Sequence, residues 1–159
     1  MSRRLSVVSF VLGFALLLGA RPDRVTADEA AAEAKFIAML KNATLKGTWA
    51  PVQQGKLGGD KGNDSYRIAR AEKIDDTKWA IVSVFNVQGQ AVEFPISATV
   101  KFAGDVSILC LDNVRAGPGK ANWSARVMFH DDVYTGRWWE TAQREHGGTI
   151  AGTITREGK

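Results

Sequence analysis

The side chains that could do chemistry are few: two histidines and one cysteine occur in 159 residues. His130 is followed by Asp131 and Asp132, a trio that could serve metal or acid–base chemistry. The same trio falls between two alternating apolar runs, where aspartate is expected as a turn residue because its short carboxylate bonds nearby backbone. The turn reading is preferred. His146-Gly147-Gly148 has the composition of an esterase oxyanion loop, yet no Gly-x-Ser-x-Gly elbow supplies a nucleophile. It is read as a flexible entry to the last strand. Cys110, within Val106 to Leu111, has no partner for an intramolecular disulfide and no neighbouring charge to favour a thiolate, so it is read as a small buried hydrophobe. Two histidines and such a cysteine do not compose the usual zinc site. Gly117-Pro118-Gly119-Lys120 lacks both the Walker spacing and the following Ser or Thr. No catalytic residue, metal site or cofactor is expected, and the chain reads as non-enzymatic.

What remains is aromatic. Trp49, Trp79, Trp123, Trp138 and Trp139 concentrate in strand-like segments. Adjacent residues of a strand point to opposite faces, so one of Trp138 and Trp139 faces inward and the other outward. An outward tryptophan covered by a helix is structural; left uncovered, it makes a patch for a sugar ring, a partner or an envelope surface. Trp79, Trp123, Trp138, Trp139 and Tyr134 are the candidate ligand-binding residues, for a small apolar or aromatic molecule or a sugar.

The elements that must position them follow from period. Asp28 to Lys41 is rich in helix formers, with Ala32, Phe36, Ile37 and Leu40 at helical spacing, Asp28 placed as a cap and Asn42 placed to end the helix in a left-handed conformation. From Ala43 the period becomes two. Strands are expected from Leu45 to Trp49, Tyr66 to Ile74, Trp79 to Val87, Ala91 to Phe102, Val106 to Leu111, Asn122 to His130, Val133 to Trp139 and Thr149 to Arg156. Trp79 to Val87 is apolar on both faces and reads as central. Pro95 cannot donate to a ladder and marks a bend, a bulge or an edge. Asp75-Asp76, Gln88-Gly89, Ala103-Gly104-Asp105 and Asp131-Asp132 are short turns, which make the topology a meander. Pro51 to Asp64 and Arg115 to Ala121 read as longer loops. The expected fold is all-β, an antiparallel up-and-down barrel of eight to nine strands preceded by one short helix, with a β-sandwich as the alternative.

Gly47-x-Trp49 near the first strand and Arg156 in the last resemble the barrel-closing residues of the calycins, the lipocalins and avidins. In lipocalins the tryptophan packs beside a basic residue of the last strand, and the resemblance implies that role for Gly47, Trp49 and Arg156. A second string, Val100 to Asp105, Ala125 to His130, Tyr134-x-Gly136-x-Trp138 and His146-Gly147-Gly148, resembles a family of uncharacterised exported bacterial proteins. That likeness runs from about Ala43 to the C-terminus and implies an address rather than an activity.

The N-terminus agrees with export. Arg3-Arg4 precedes an apolar run from Leu5 to Ala20, and Val25-Thr26-Ala27 offers small side chains before a cut at Asp28. The expected organisation is a signal peptide over 1–27, a helix over 28–42 and one barrel domain over 43–159, secreted or periplasmic, without a membrane span once cut. The formal charge of +4 belongs mostly to the leader, since Arg3, Arg4, Arg21 and Arg24 lie in it. The remaining charges are balanced and interspersed and form no basic stripe, which argues against nucleic acid as a partner. Three Asn-x-Ser/Thr sequons, at Asn42, Asn63 and Asn122, matter only in a eukaryotic secretory route. The partners left are a small-molecule ligand or an envelope component, the second going with the alternative reading of the chain as a structural or protein-interaction module of the cell envelope.

Overall fold

The computed structural model describes residues 22–59, 61–115 and 121–156. The expected leader up to residue 21 and Gly117-Pro118-Gly119-Lys120 lie outside the described residues. One helix, α1 (Pro22–Leu40), leads into nine strands: β1 (Ala43–Gln53), β2 (Lys56–Leu57), β3 (Gly62–Lys73), β4 (Lys78–Val87), β5 (Gln90–Ala103), β6 (Val106–Val114), β7 (Trp123–His130), β8 (Val133–Glu140) and β9 (Gln143–Arg156). Every pairing is antiparallel, and β9 returns to β1 over eleven residue pairs. Eight strands thus close a meander barrel. β2 is an extra two-residue strand folded back on the end of β1.

Two segments differ from the sequence expectation. Pro51 to Asp64 is not one loop: β1 runs on to Gln53, turns through Gln54 and Gly55, both at positive φ, and returns as β2. Two consecutive left-handed residues match the twist of a hairpin, which converts the excursion into a short arm. β9 begins six residues before Thr149, so His146-Gly147-Gly148 lies within a strand rather than in a flexible entry. The two glycines are there for room. A Cβ on Gly147 would come 2.1 Å from the Trp138 carbonyl oxygen, and one on Gly148 would come 2.8 Å from the Trp138 ring.

Alternation sorts the side chains. Ala43, Leu45 and Trp49 of β1, Ile68 of β3, Trp79 and Ile81 of β4, Ala98, Val100 and Phe102 of β5, Leu109 of β6, Val127 and Phe129 of β7, Tyr134 and Trp138 of β8, and Ile150 and Ile154 of β9 form one interior cluster. The helix completes it from one end. Phe36 is fully buried and meets Trp79, Phe102 and Phe129 edge-on at ring separations of 5.5, 6.2 and 5.8 Å. Met39 and Leu40 are buried beside it, whereas Ile37 faces outward. Asn42, at φ 50°, ends the helix as expected, and its N–H donates to the Ala69 carbonyl at 2.9 Å. The helix also starts earlier than expected, so its backbone continues through the anticipated cut before Asp28.

Polar ties hold the helix over that end. Arg156 donates to the Met39 carbonyl at 3.1 Å and pairs with Asp132, which supplies cationic charge where helix carbonyls lack partners. Lys73 bridges to Glu33 at 2.6 Å, and Lys35 reaches Asp131 at 3.5 Å.

Pro95 sits on an edge. β5 pairs with β4 along Gln90 to Thr99, but its ladder to β6 begins only at Thr99. The proline therefore lies where the missing N–H leaves no β6 partner unsatisfied. β5 is not split; it leaves β6 behind, and the barrel wall parts there.

Candidate functional site

The unzipped stretch of β5 and the far end of β6 frame a cavity of about 510 Å³ inside the barrel. Its floor is Leu40, Leu45, Phe129 and Tyr134, at the end that α1 covers. Its walls include Ile81, Leu109, Val127, Trp138 and Ile150, and towards the outside Tyr66, Phe85, Ile96, Leu111, Val114 and Trp123. Tyr66 and Phe85 are 42% and 49% exposed, so the lining is continuous with solvent there. The lining is overwhelmingly apolar. Ser65, Ser83, Ser124, Tyr66 and Tyr134 are its uncharged polar residues, and Arg67 is its one charged residue.

The five candidate ligand residues divide three ways. Trp123, Trp138 and Tyr134 line the cavity. Trp138 stands between Trp123 and Trp49, at 5.3 and 6.1 Å between ring centres, so three indoles make one aromatic wall. Trp79 is buried under Phe36 at the covered end, away from the cavity. Trp139 points to the outer face and is half-buried, as alternation requires of a neighbour of Trp138. The helix does not cover it; the guanidinium groups of Arg126, Arg137 and Arg144 lie 5.5, 6.0 and 5.6 Å from its ring centre.

Barrel closure also differs in detail from the lipocalin arrangement. Gly47 pairs with Gly152 in the β1–β9 seam, and a Cβ on either would lie about 2 Å from backbone of the opposite strand. Trp49, however, faces Ile150 while Arg156 faces Ala43. Six residues at about 3.4 Å each separate the two along β1, so they do not pack together. The reason is that β1 begins at Ala43, which places Gly47 and Trp49 mid-strand. Arg156 serves the helix end instead.

Asp64, opposite Gly47 on β3, accepts a hydrogen bond from the Tyr66 hydroxyl. Burial first, and then this bond and the Asp64 charge, hold the Tyr66 phenol well above its ordinary range. Tyr134 is fully buried, and its hydroxyl has no hydrogen-bond partner among the described residues. Its phenol too is raised, by burial and then by the Asp64 charge. Sequence reasoning singled out Tyr134 but missed Asp64, Tyr66 and the aliphatic lining. The signal is present in the alternation of β3, where Asp64, Tyr66 and Ile68 fall on one face, but the Gly-, Lys- and Asp-rich composition of Pro51 to Asp64 reads as loop.

The His130 trio is a turn. Asp131 takes φ 51° in the β7–β8 hairpin. His130 Nε2 lies 3.1 Å from the Asp105 carboxylate, whose pKa it lowers, chiefly through that hydrogen bond. Among the described residues no group of three potential ligands is arranged to hold a metal ion. A second depression, about 480 Å³, lies against the β1–β2 arm and is lined by Gln53, Gln54, Lys56 and His146 among others. Among the described residues no helix is long and apolar enough to cross a membrane.

Compared with known proteins, the chain matches no family model, no curated protein and no solved structure.

Proposed function

We propose that this chain is an exported, non-enzymatic β-barrel that binds a small apolar or aromatic molecule in its interior. The observation that carries the reading is the cavity of about 510 Å³, lined by aliphatic and aromatic side chains and continuous with solvent past Phe85 and Tyr66. Cores of this size are normally packed to crystal-like density, and an unfilled apolar space forfeits dispersion contacts on every lining atom. Sites for small molecules span about 300–1,000 Å³ and carry a few polar groups on an apolar wall, which describes this interior. Export rests on the leader-like N-terminus.

Titration of the purified chain with N-phenyl-1-naphthylamine, whose emission rises in apolar surroundings, tests the proposal. Saturable binding is expected, with thermal stabilisation of about 2.7 kcal/mol at a hundredfold excess over Kd. Ile96→Trp, which places an indole in the half-buried cavity wall, should abolish saturation while the chain stays folded. Equal binding by that variant would move the probe to the outer surface and refute the interior site.

A further inference from the structure

We infer that the interior ligand is a long, unbranched alkyl chain, one part of which lies outside the barrel along the inward face of the β4–β5 hairpin. The inference rests on the interior-binding reading above and names the class of ligand. β4 and β5 pair without interruption from Lys78 opposite Thr99 to Val87 opposite Gln90, so the face that starts in the core runs on to the hairpin tip. Trp79, Ile81, Ala98 and Val100 begin that face in the core. Ser83, Phe85 and Ile96 continue it as cavity lining, and Val87, Val92 and Phe94 finish it.

The outer half of this hairpin is paired only with itself. β3 follows β4 no further than Val84, and β6 joins β5 only from Thr99. Phe85, Val87, Val92 and Phe94 are therefore between 42 and 52% exposed, although alternation puts them on the apolar face. Phe85 and Phe94 meet edge-on, with ring centres 6.3 Å apart. The opposite face of the same ribbon is polar: Asn86 accepts from the Gly89 N–H at 2.9 Å, and Glu93 pairs with Arg70. Contiguous exposed apolar surface marks a contact, and its continuity with the cavity lining assigns that contact to the molecule inside. Strand addition by a second copy on the open edge of β5 would meet Pro95, which has no N–H to give.

Length then decides the shape of the ligand. From Ile81 to Val87 the strip covers six residues of β4, about 20 Å at the rise of a strand. Its polar side chains are Ser83 and, at the tip, Gln90, so no charge interrupts it. An extended alkyl chain covers such a strip from end to end, whereas a one- or two-ring aromatic occupies only part of it.

Competition against bound N-phenyl-1-naphthylamine by 1-octanol, 1-decanol, 1-dodecanol and 1-tetradecanol tests this, on the full chain and on the double variant Val92→Ser/Phe94→Ser. Both substituted side chains are exposed and lie outside the cavity lining, so the variant should fold and should bind the probe and 1-octanol as the wild type does. In the wild type, affinity should rise about fourfold per methylene up to 1-tetradecanol. In the variant the rise should stop partway, leaving 1-tetradecanol at least tenfold weaker than in the wild type. Equal length dependence in the two proteins overturns the assignment while 1-octanol binding preserves the cavity. The face then belongs to a second copy if the wild type alone sediments as a dimer, or to a lipid surface if the wild type alone binds phosphatidylcholine vesicles. Failure of both the probe and 1-octanol to bind overturns the interior site itself.

Discussion

Phe36 does for the barrel what no strand residue can. Its ring is fully buried against Trp79, Phe102 and Phe129, three side chains that come from three different strands. Edge-to-face contacts of this kind add about 0.5–1.5 kcal/mol per pair beyond the area removed from water. Phe36→Ala should therefore destabilise the fold by about 3–5 kcal/mol, read from the shift in the urea midpoint, with the slope of the transition unchanged. A loss below 1 kcal/mol would mean that the helix is not seated in the barrel end. Trp79 belongs to the same stopper, which is why an aromatic residue that looked available for a ligand lies apart from the cavity. Trp139 shows the converse. Its outward position followed from its neighbour's inward one, but the three arginines around it come from β7, β8 and β9 at separations that no local pattern announces.

Among the elements, turns carry titratable chemistry of their own. Between β3 and β4 the Asp75 carboxylate accepts from the backbone N–H groups of Thr77 at 2.9 Å and Lys78 at 2.8 Å. These bonds favour the ionised form and hold the carboxyl below its ordinary value, Thr77 contributing most. The stabilisation is complete above the unfolded aspartate pKa of about 3.9 and is lost as pH falls through the lower folded value. Asp75→Asn keeps an acceptor oxygen but cannot titrate. The stability difference between wild type and variant should be constant from neutrality to about pH 5 and shrink below about pH 4. A difference still undiminished at about pH 2 would contradict the assignment.

Such turns, and the strands they join, were legible because alternation and turn chemistry are local. Pro95 was legible as a bend, a bulge or an edge for the same reason, and register decides for the edge. The gap beside it was not, because the point at which β5 leaves β6 is fixed by register between strands. The β1–β2 arm was hidden by its Gly- and Lys-rich composition, which resembles a loop until the two consecutive positive-φ residues are seen.

For the whole molecule, the meander from β3 to β9 and its closure on β1 give a closed wall whose ladder is interrupted where β5 and β6 part. One end is stoppered by α1 and tied by Arg156, Lys73 and Lys35. The opposite side carries the exposed Phe85, Val92 and Phe94 on the projecting β4–β5 hairpin, apolar side chains that extend the cavity lining outward. Up-and-down closure followed from short links and period two. The open interior did not, since cavity volume is the difference between a barrel radius set by strand tilt and the summed side chains pointing inward. Those two quantities nearly cancel, and neither is written in any single segment. Whether the space serves a ligand is tested most directly by a crystal structure of the chain purified from its natural host without added lipophiles. The account predicts continuous density within the barrel, against Trp123 and Trp138. An interior closed by inward rotation of Phe85, Leu111 and Trp138, with no space left between them, would contradict it.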